Sequence, residues 1–248
     1  MIFAAGIGSR LRPFTSRHPK AMARVGGTPM LRRVMDNLAR AGVSEIVVNA
    51  HHFAGEIIDY VDSHPGPVPV RISDETALLL DTGGGVLKAR DLLEGDGPVI
   101  LHNSDILTNL NLSEMYAAHM ASGADVTLLC SPRVTSRYLY FDKDGGRLSG
   151  WCNERSGECR PAGFAPDNHM DKLAFGGIHV ISPSVFTVLE RYRDRNIPFS
   201  LVPFYVDNMD RLDIRAYVPS ADGFVWCDIG TPESLQNANI LAKTLESV

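Results

Sequence analysis

The sequence predicts an α/β fold, a Rossmann-like three-layer sandwich whose mixed, mainly parallel sheet carries a small β-rich insertion. Two observations lead there. Short apolar runs alternate with segments of helical period from Ile2 to Leu93, and such alternation builds a mostly parallel sheet covered on both faces. Between residues 138 and 180 the pattern changes to paired strands with a Gly-containing turn. The chain of 248 residues is read as one domain over 1–248, and 44% hydrophobic residues suffice for a sizeable core.

In order, Ile2 to Ala5 reads as a strand stopped by Gly6. Pro29 to Ala41 places Met30, Leu31, Val34, Leu38 and Ala41 on one helical face, with Pro29 in the first turn and Gly42 at the exit. Glu45 to Asn49 is a short buried strand, Phe53 to Val61 a helix, and Val68 to Ile72 a strand broken into by Pro69. A glycine-led helix runs to Leu93, and Val99 to Asp105 is a strand ending in a carboxylate. Leu112 to Ser122 is a helix and Asp125 to Cys130 a strand. Tyr138 to Phe141 and Arg147 to Trp151 form a hairpin across Asp142-Lys143-Asp144-Gly145-Gly146. Leu173 to Val180 is a strand and Pro183 to Tyr192 a helix. Thr231, Pro232 and Glu233 start a last helix as cap, first-turn proline and dipole-matched acid.

The chemistry concentrates in the first twenty residues. Gly6 and Gly8 let the backbone turn tightly after the first strand, and consecutive free amides form an anion-binding concavity. Arg10, Arg12 and Lys20 surround it with three positive charges, which suits a polyphosphate. The P-loop spacing is absent, and Leu11 stands where the dinucleotide fingerprint needs its third glycine. Asp105, at the C-terminal edge of a strand, sits where α/β sheets bind ligands, and Mg²⁺ needs only one or two carboxylates beside phosphate oxygens. His51-His52 lack metal-ligand spacing and read as structural.

Composition narrows the partners. A net charge of −5 argues against nucleic acid, and no apolar run approaches the roughly 20 residues that span a bilayer. No secretory signal opens the sequence, so a cytoplasmic location is expected. Cys130, Cys152, Cys159 and Cys227 show no C-x-x-C spacing; Cys152 and Cys159 could face each other across a hairpin, but free thiols are expected in a reducing compartment. No G-x-S-x-G elbow or Ser-His-Asp order points to a covalent hydrolase.

The stretch G-x-G-S-R-L-x-P-x-T followed by Pro19-Lys20 resembles the signature of the sugar-1-phosphate nucleotidylyltransferases, and the resemblance extends over nearly the whole chain. It implies transfer of a nucleotidyl group from a nucleoside triphosphate to a sugar 1-phosphate, with Mg²⁺ as cofactor. By the same resemblance Arg10 and Lys20 neutralise the triphosphate, with Ala4, Ala5, Gly6, Gly8 and Ser9 as its loop. Asp81-Thr82-Gly83-Gly84-Gly85 resembles the segment that holds the nucleobase, in the form found in members acting on uridine nucleotides, notably the N-acetylmuramate-1-phosphate uridylyltransferases. Thr82, Gly83 and Asn103 then bind nucleotide, Asp105 is catalytic and the first metal ligand, and Asp228 of W-x-D-I-G-T-P-E is the second. Ser104 replaces the glycine frequent before that first aspartate, and no Glu-x-Lys for the sugar and its phosphate is found. The insertion resembles the family's sugar-facing subdomain, where Trp151, Asn153 and Gly177 are the sugar-contact candidates, Trp151 equally a core residue. Mannose-, glucose- or heptose-1-phosphate with another nucleotide are the rival substrates. A glycosyltransferase lacks support because Asp105-Ile106-Leu107 is not D-x-D; a non-catalytic nucleotide-sugar sensor has no need of Lys20, Asp105 and Asp228 together.

Overall fold

A computed structural model describes residues 1–95, 97–143, 146–192, 197–220 and 222–245. Asp144 and Gly145 of the expected hairpin turn lie outside these. After β1 (Ile2–Phe3), three short 3₁₀ turns (Ser9–Leu11, Phe14–Ser16, Lys20–Met22) lead to a ribbon of β2 (Arg24–Val25) and β3 (Thr28–Pro29), then α1 (Met30–Arg40). β4 (Ile46–Ala50), α2 (Ala54–Ser63) and β5 (Val70–Asp74) follow. β5 starts two residues later than expected: Pro69 has no N–H for the ladder, so it stays at the strand's entrance and offers only its carbonyl, to Ile46 N at 2.9 Å.

The glycine-led helix is two helices, α3 (Asp81–Lys88) and α4 (Arg90–Leu93), before β6 (Val99–Asn103) and β7 (Ile106–Thr108). α5 (Leu112–Ser122) is capped by Asn111 Oδ1, which accepts from the amides of Ser113 and Glu114, and ends at left-handed Gly123. β8 (Val126–Ser131) is followed by β9 (Arg137–Asp142), β10 (Leu148–Asn153), β11 (Glu158–Arg160) and the long β12 (Met170–Ile181). The chain closes with α6 (Ser184–Tyr192), α7 (Leu201–Asp207), β13 (Ile214–Tyr217), β14 (Trp226–Asp228) and α8 (Pro232–Leu245).

The strands β5, β4, β1 and β6 lie side by side in parallel. β12 joins β6 and β8 antiparallel, and β13 pairs parallel with β8. Alternation along the strands divides the core. Val47 and Leu101 pack on one face with α3, α6 and α7, whereas Ile46, Val48 and Ile100 pack on the other with α1, α2 and α5. This is the expected three-layer, mixed and mainly parallel α/β fold. The N-terminal half of β12 pairs with β9 and so carries the β-rich insertion, which has a small core of Tyr138, Tyr140 and Cys152 with Phe164 and Met170 packed on it.

One cysteine expectation is corrected. Antiparallel pairing of β10 with β11 sets Cys152 directly opposite Cys159, with Cα atoms 4.1 Å apart, and the two are joined in a disulfide; Cys130 and Cys227 are free thiols.

Candidate active site

The phosphate loop is shaped by contacts its own sequence does not contain. Gly8 takes φ 64°, and a Cβ there would lie 3.0 Å from Thr15 Cγ2 and 3.1 Å from Lys20 Cβ. Thr15 Oγ1 and Leu11 N both donate to the Gly8 carbonyl at 2.9 Å, and His52 Nε2 bonds the Thr15 carbonyl. Beneath the loop, Asn49 Oδ1 accepts from Ala4 N at 2.7 Å and Ala5 N at 3.3 Å. Asn49 Nδ2 donates to fully buried Glu75, whose other oxygen accepts from Leu80 N. Burial raises the Glu75 carboxyl above its ordinary pKa, partly offset by these hydrogen bonds. Ala4 and Ala5 therefore spend their amides inside the protein. Among the described residues, no acceptor takes the amides of Gly6, Ile7 and Gly8, which leaves those three for an anion.

The charged residues converge from distant parts of the chain. Lys20 Nζ forms an ion pair with Asp105 Oδ2. β14 pairs antiparallel with β7, setting Asp228 opposite Ile106, and Ile229 N donates to the Asp105 carbonyl at 3.0 Å. The two metal candidates are thus on hydrogen-bonded neighbouring segments. Arg10 reaches the same place: a Cβ on Gly230 would meet Arg10 Nη2 at 2.9 Å and Asp228 Oδ2 at 3.4 Å. Two carboxylates are a fitting donor set for Mg²⁺, which prefers oxygen and takes its remaining ligands from phosphate and water. No group of three or more metal-ligating side chains occurs among the described residues.

Two cavities open at the C-terminal ends of the parallel strands. The first, about 440 Å³, is lined by Ala4, Ala5, Gly6, Gly8, Lys20 and Asp105. The second, about 530 Å³, is lined by Trp151 and Asn153 of the insertion together with Arg133, Arg137, Arg160 and His179. Asp81, Thr82 and Asn103 line both and form the wall between them. Exposed Ser9 and Arg10 lie on the outer side of the loop.

Two glycines of the expected set are not among the residues lining these cavities. Gly83 is buried, gives its amide to the Phe199 carbonyl at 2.8 Å, and would place a Cβ 2.3 Å from the Phe199 ring. It is a packing position, and Thr82 beside it faces the cavities. Gly177, at φ 76°, lies behind Asn103, whose Nδ2 would be 2.8 Å from an added Cβ; it seats Asn103 rather than forming the wall itself.

Asn49, Glu75 and the three arginines of the second cavity escaped the sequence reading, and Asp81 entered it only as the first residue of the nucleobase-type segment, without a role of its own. Asp81 carried a signal only in retrospect: it adopts φ 58°, a left-handed conformation that Asp tolerates better than most residues, and its carboxylate binds Thr82 N and Ser200 Oγ.

Residues 1–141 match the family described as nucleotidyl transferase. An N-acetylmuramate alpha-1-phosphate uridylyltransferase of Neisseria meningitidis serogroup B is 36% identical over 98% of this chain and 97% of its own. Another, from Caulobacter vibrioides, is 31% identical over 94% of this chain and 92% of its own. The mannose-1-phosphate guanylyltransferase catalytic subunit beta of Dictyostelium discoideum is 23% identical over 100% of this chain, which spans 65% of that protein. Among solved structures, HddC from Yersinia pseudotuberculosis complexed with GMP-PN has the same fold, with TM-score 0.72, 22% identity and 96% of each chain covered. The signature loop, the paired aspartates and full-length similarity above 30% identity agree: this chain belongs to the nucleotidyl transferase family, among the sugar-1-phosphate nucleotidyltransferases.

Proposed function

We propose that this chain acts as one domain that joins UTP to N-acetylmuramate 1-phosphate, giving the UDP-sugar and pyrophosphate. The observation that carries the reading is the pair of cavities sharing Thr82 and Asn103 as a wall, with Lys20 and Asp105 lining the nucleotide side. A triphosphate against the loop amides and a sugar phosphate in the second cavity meet at that wall. The choice of sugar draws on the two uridylyltransferases that match at full length. It also draws on chemistry: N-acetylmuramate carries a carboxylate besides its phosphate, and exposed Arg137 lines the second cavity. Supply of nucleoside triphosphates favours the cytoplasm as its place of action.

A phosphate oxygen of the sugar 1-phosphate attacks the α-phosphorus in line; the new O–P bond forms as the bond to pyrophosphate breaks, and no enzyme side chain is covalently modified. The protein's part is positioning and charge neutralisation. The free amides of Gly6, Ile7 and Gly8 hold the triphosphate, and Lys20 and Arg10 bring positive charge to the reacting and departing phosphates. Asp105 and Asp228 would hold a Mg²⁺ ion, which would supply Lewis-acid stabilisation of phosphate charge. Thr82 and Asn103 orient the nucleotide from the shared wall, and Trp151 and Asn153 receive the sugar.

Pyrophosphate release in Mg²⁺, crossing UTP, CTP, GTP, ATP and dTTP with a panel of sugar 1-phosphates, tests the reading. UTP with N-acetylmuramate 1-phosphate should be the best pair, and release should require both. A preference for a neutral sugar 1-phosphate or another nucleotide reassigns the substrates within the same reaction. No release with any pair overturns the enzymatic reading.

A further inference from the structure

Arg133 stands where the chain leaves β8 for the insertion, and its guanidinium is held on two sides. Its Cζ lies 3.9 Å from the centroid of the Trp226 ring, and one Nη donates to the Phe175 carbonyl. Trp226 is itself fixed by Nε1–H donation to the Gly176 carbonyl at 2.8 Å. Trp226 and Asp228 are two residues apart on β14, so both side chains project from one face and Arg133 lies beside the metal carboxylate. Among the described residues no carboxylate comes within ion-pair distance of this cation, and its Nε is buried without any hydrogen-bond partner. A guanidinium has five N–H donors; burial disfavours this half-buried cation, the nearby Asp228 charge favours it, and its buried Nε still has no acceptor. Arg133 also lines the second cavity, next to Asn103 of the shared wall.

We propose that Arg133 binds the phosphate of the sugar 1-phosphate and holds it at the wall between the cavities. This rests on the reading that the substrate is a sugar 1-phosphate, and assigns the cation its phosphate needs. The other positive groups are committed elsewhere. Lys20 pairs with Asp105 on the nucleotide side, Arg10 lies against Gly230, and Arg160 is exposed and ion-paired to Glu158. Arg137, at the start of β9, is exposed at the outer part of the cavity and suits a group on the sugar rather than its phosphate. Arg133 is the guanidinium with a fixed plane, a buried unpartnered Nε and a place beside Asp228.

The test is steady-state kinetics on Arg133→Met and Arg133→Lys with UTP, Mg²⁺ and N-acetylmuramate 1-phosphate, or whichever sugar 1-phosphate the unaltered protein prefers. Loss of a charged hydrogen-bonding partner predicts a rise of about 10- to 100-fold in KM for the sugar phosphate in Arg133→Met. The KM for UTP should stay within about 3-fold, as the nucleotide cavity lacks this residue. Arg133→Lys keeps the charge and should recover part of the loss. Inhibition by the same sugar without its phosphate should be equal in all three proteins. An unchanged KM for the sugar phosphate overturns the proposal. So does equal weakening of phosphorylated and free sugar, which marks a packing role on Trp226. If Arg133→Met does not fold, Arg133→Lys decides by the same comparison. Failure of the parent reading looks different, since the unaltered protein then releases no pyrophosphate with any sugar 1-phosphate.

Discussion

Lys20 and Asp105 are each largely shielded, with side chains 12% and 21% exposed, and each is the other's partner. Their roles separate in kinetics. Lys20→Met removes charge from the phosphates and should lower turnover about 10²–10³-fold, the scale of one lost electrostatic donor, without raising the Mg²⁺ concentration for half-maximal rate. Asp105→Asn and Asp228→Asn should raise that concentration as well as slow turnover. Half-saturation measured by Mg²⁺ titration checks this, and a normal titration in either variant removes that residue from the metal site. Lys20, Asp105 and Asp228 could be named from the sequence because each stands in a stretch that resembles a motif of the family. Asn49 and Glu75 were not legible: each reads as an ordinary strand-end polar residue, and only the pairing of β1 with β4 and of β4 with β5 brings them under Ala4 and Ala5.

The elements show where local rules suffice. α1 and α5 ran within a residue of expectation, since an amphipathic stripe in one and Leu112 to Ser122 between Asn111 and Gly123 in the other bound them. α3 is the contrary case, because three consecutive glycines weaken a helix by roughly 1 kcal/mol each relative to alanine. They persist because the helix presses on neighbours: Gly83 on Phe199, Gly84 on the Ile197 carbonyl, Gly85 on Glu75. Gly83→Ala gains helix propensity but drives a methyl into the Phe199 ring, and overpacking of about 1–3 kcal/mol should prevail. A net loss of about 1–2 kcal/mol is expected in urea unfolding, with Phe199→Leu restoring much of it in the double variant. A stabilised Gly83→Ala protein would show that the ring moves freely aside. β14 marks the limit of local reading, for three residues become a strand only when β7 is there to receive them.

At the scale of the molecule, the sheet buries two histidines, one of which, His179, also borders the second cavity. His102 and His179 are fully buried, and burial lowers their pKa values to about 4 and about 3. Their ring nitrogens bond the Asn103 carbonyl and the Tyr205 hydroxyl. The unfolded chain takes up these protons near pH 6.5, while the native protein resists until the lowered values are reached. Stability is therefore lost as pH falls below 6.5, with a slope of about 1.4 kcal/mol per pH unit for each histidine. Urea midpoints from pH 6.5 to 5 should fall in this way, and His179→Gln should remove about one histidine's share of the slope. An identical slope in that variant would mean that His179 is protonated in the native protein.

Much of this protein was determined by sequence alone: the alternation that makes the sheet, the helices with clear faces and caps, the loop glycines with their cations, and both aspartates. These are carried by spacing along the chain, which the backbone turns directly into local shape and strand-edge position. Tertiary structure decided the rest. It joined Cys152 to Cys159, turned Gly83 and Gly177 into packing positions, set Asn49 and Glu75 beneath the loop, and placed Arg133 on Trp226 beside Asp228. Each of these depends on segments far apart in sequence meeting in one register. Strand pairing and burial choose that register over the whole fold, and no stretch of the chain encodes it by itself.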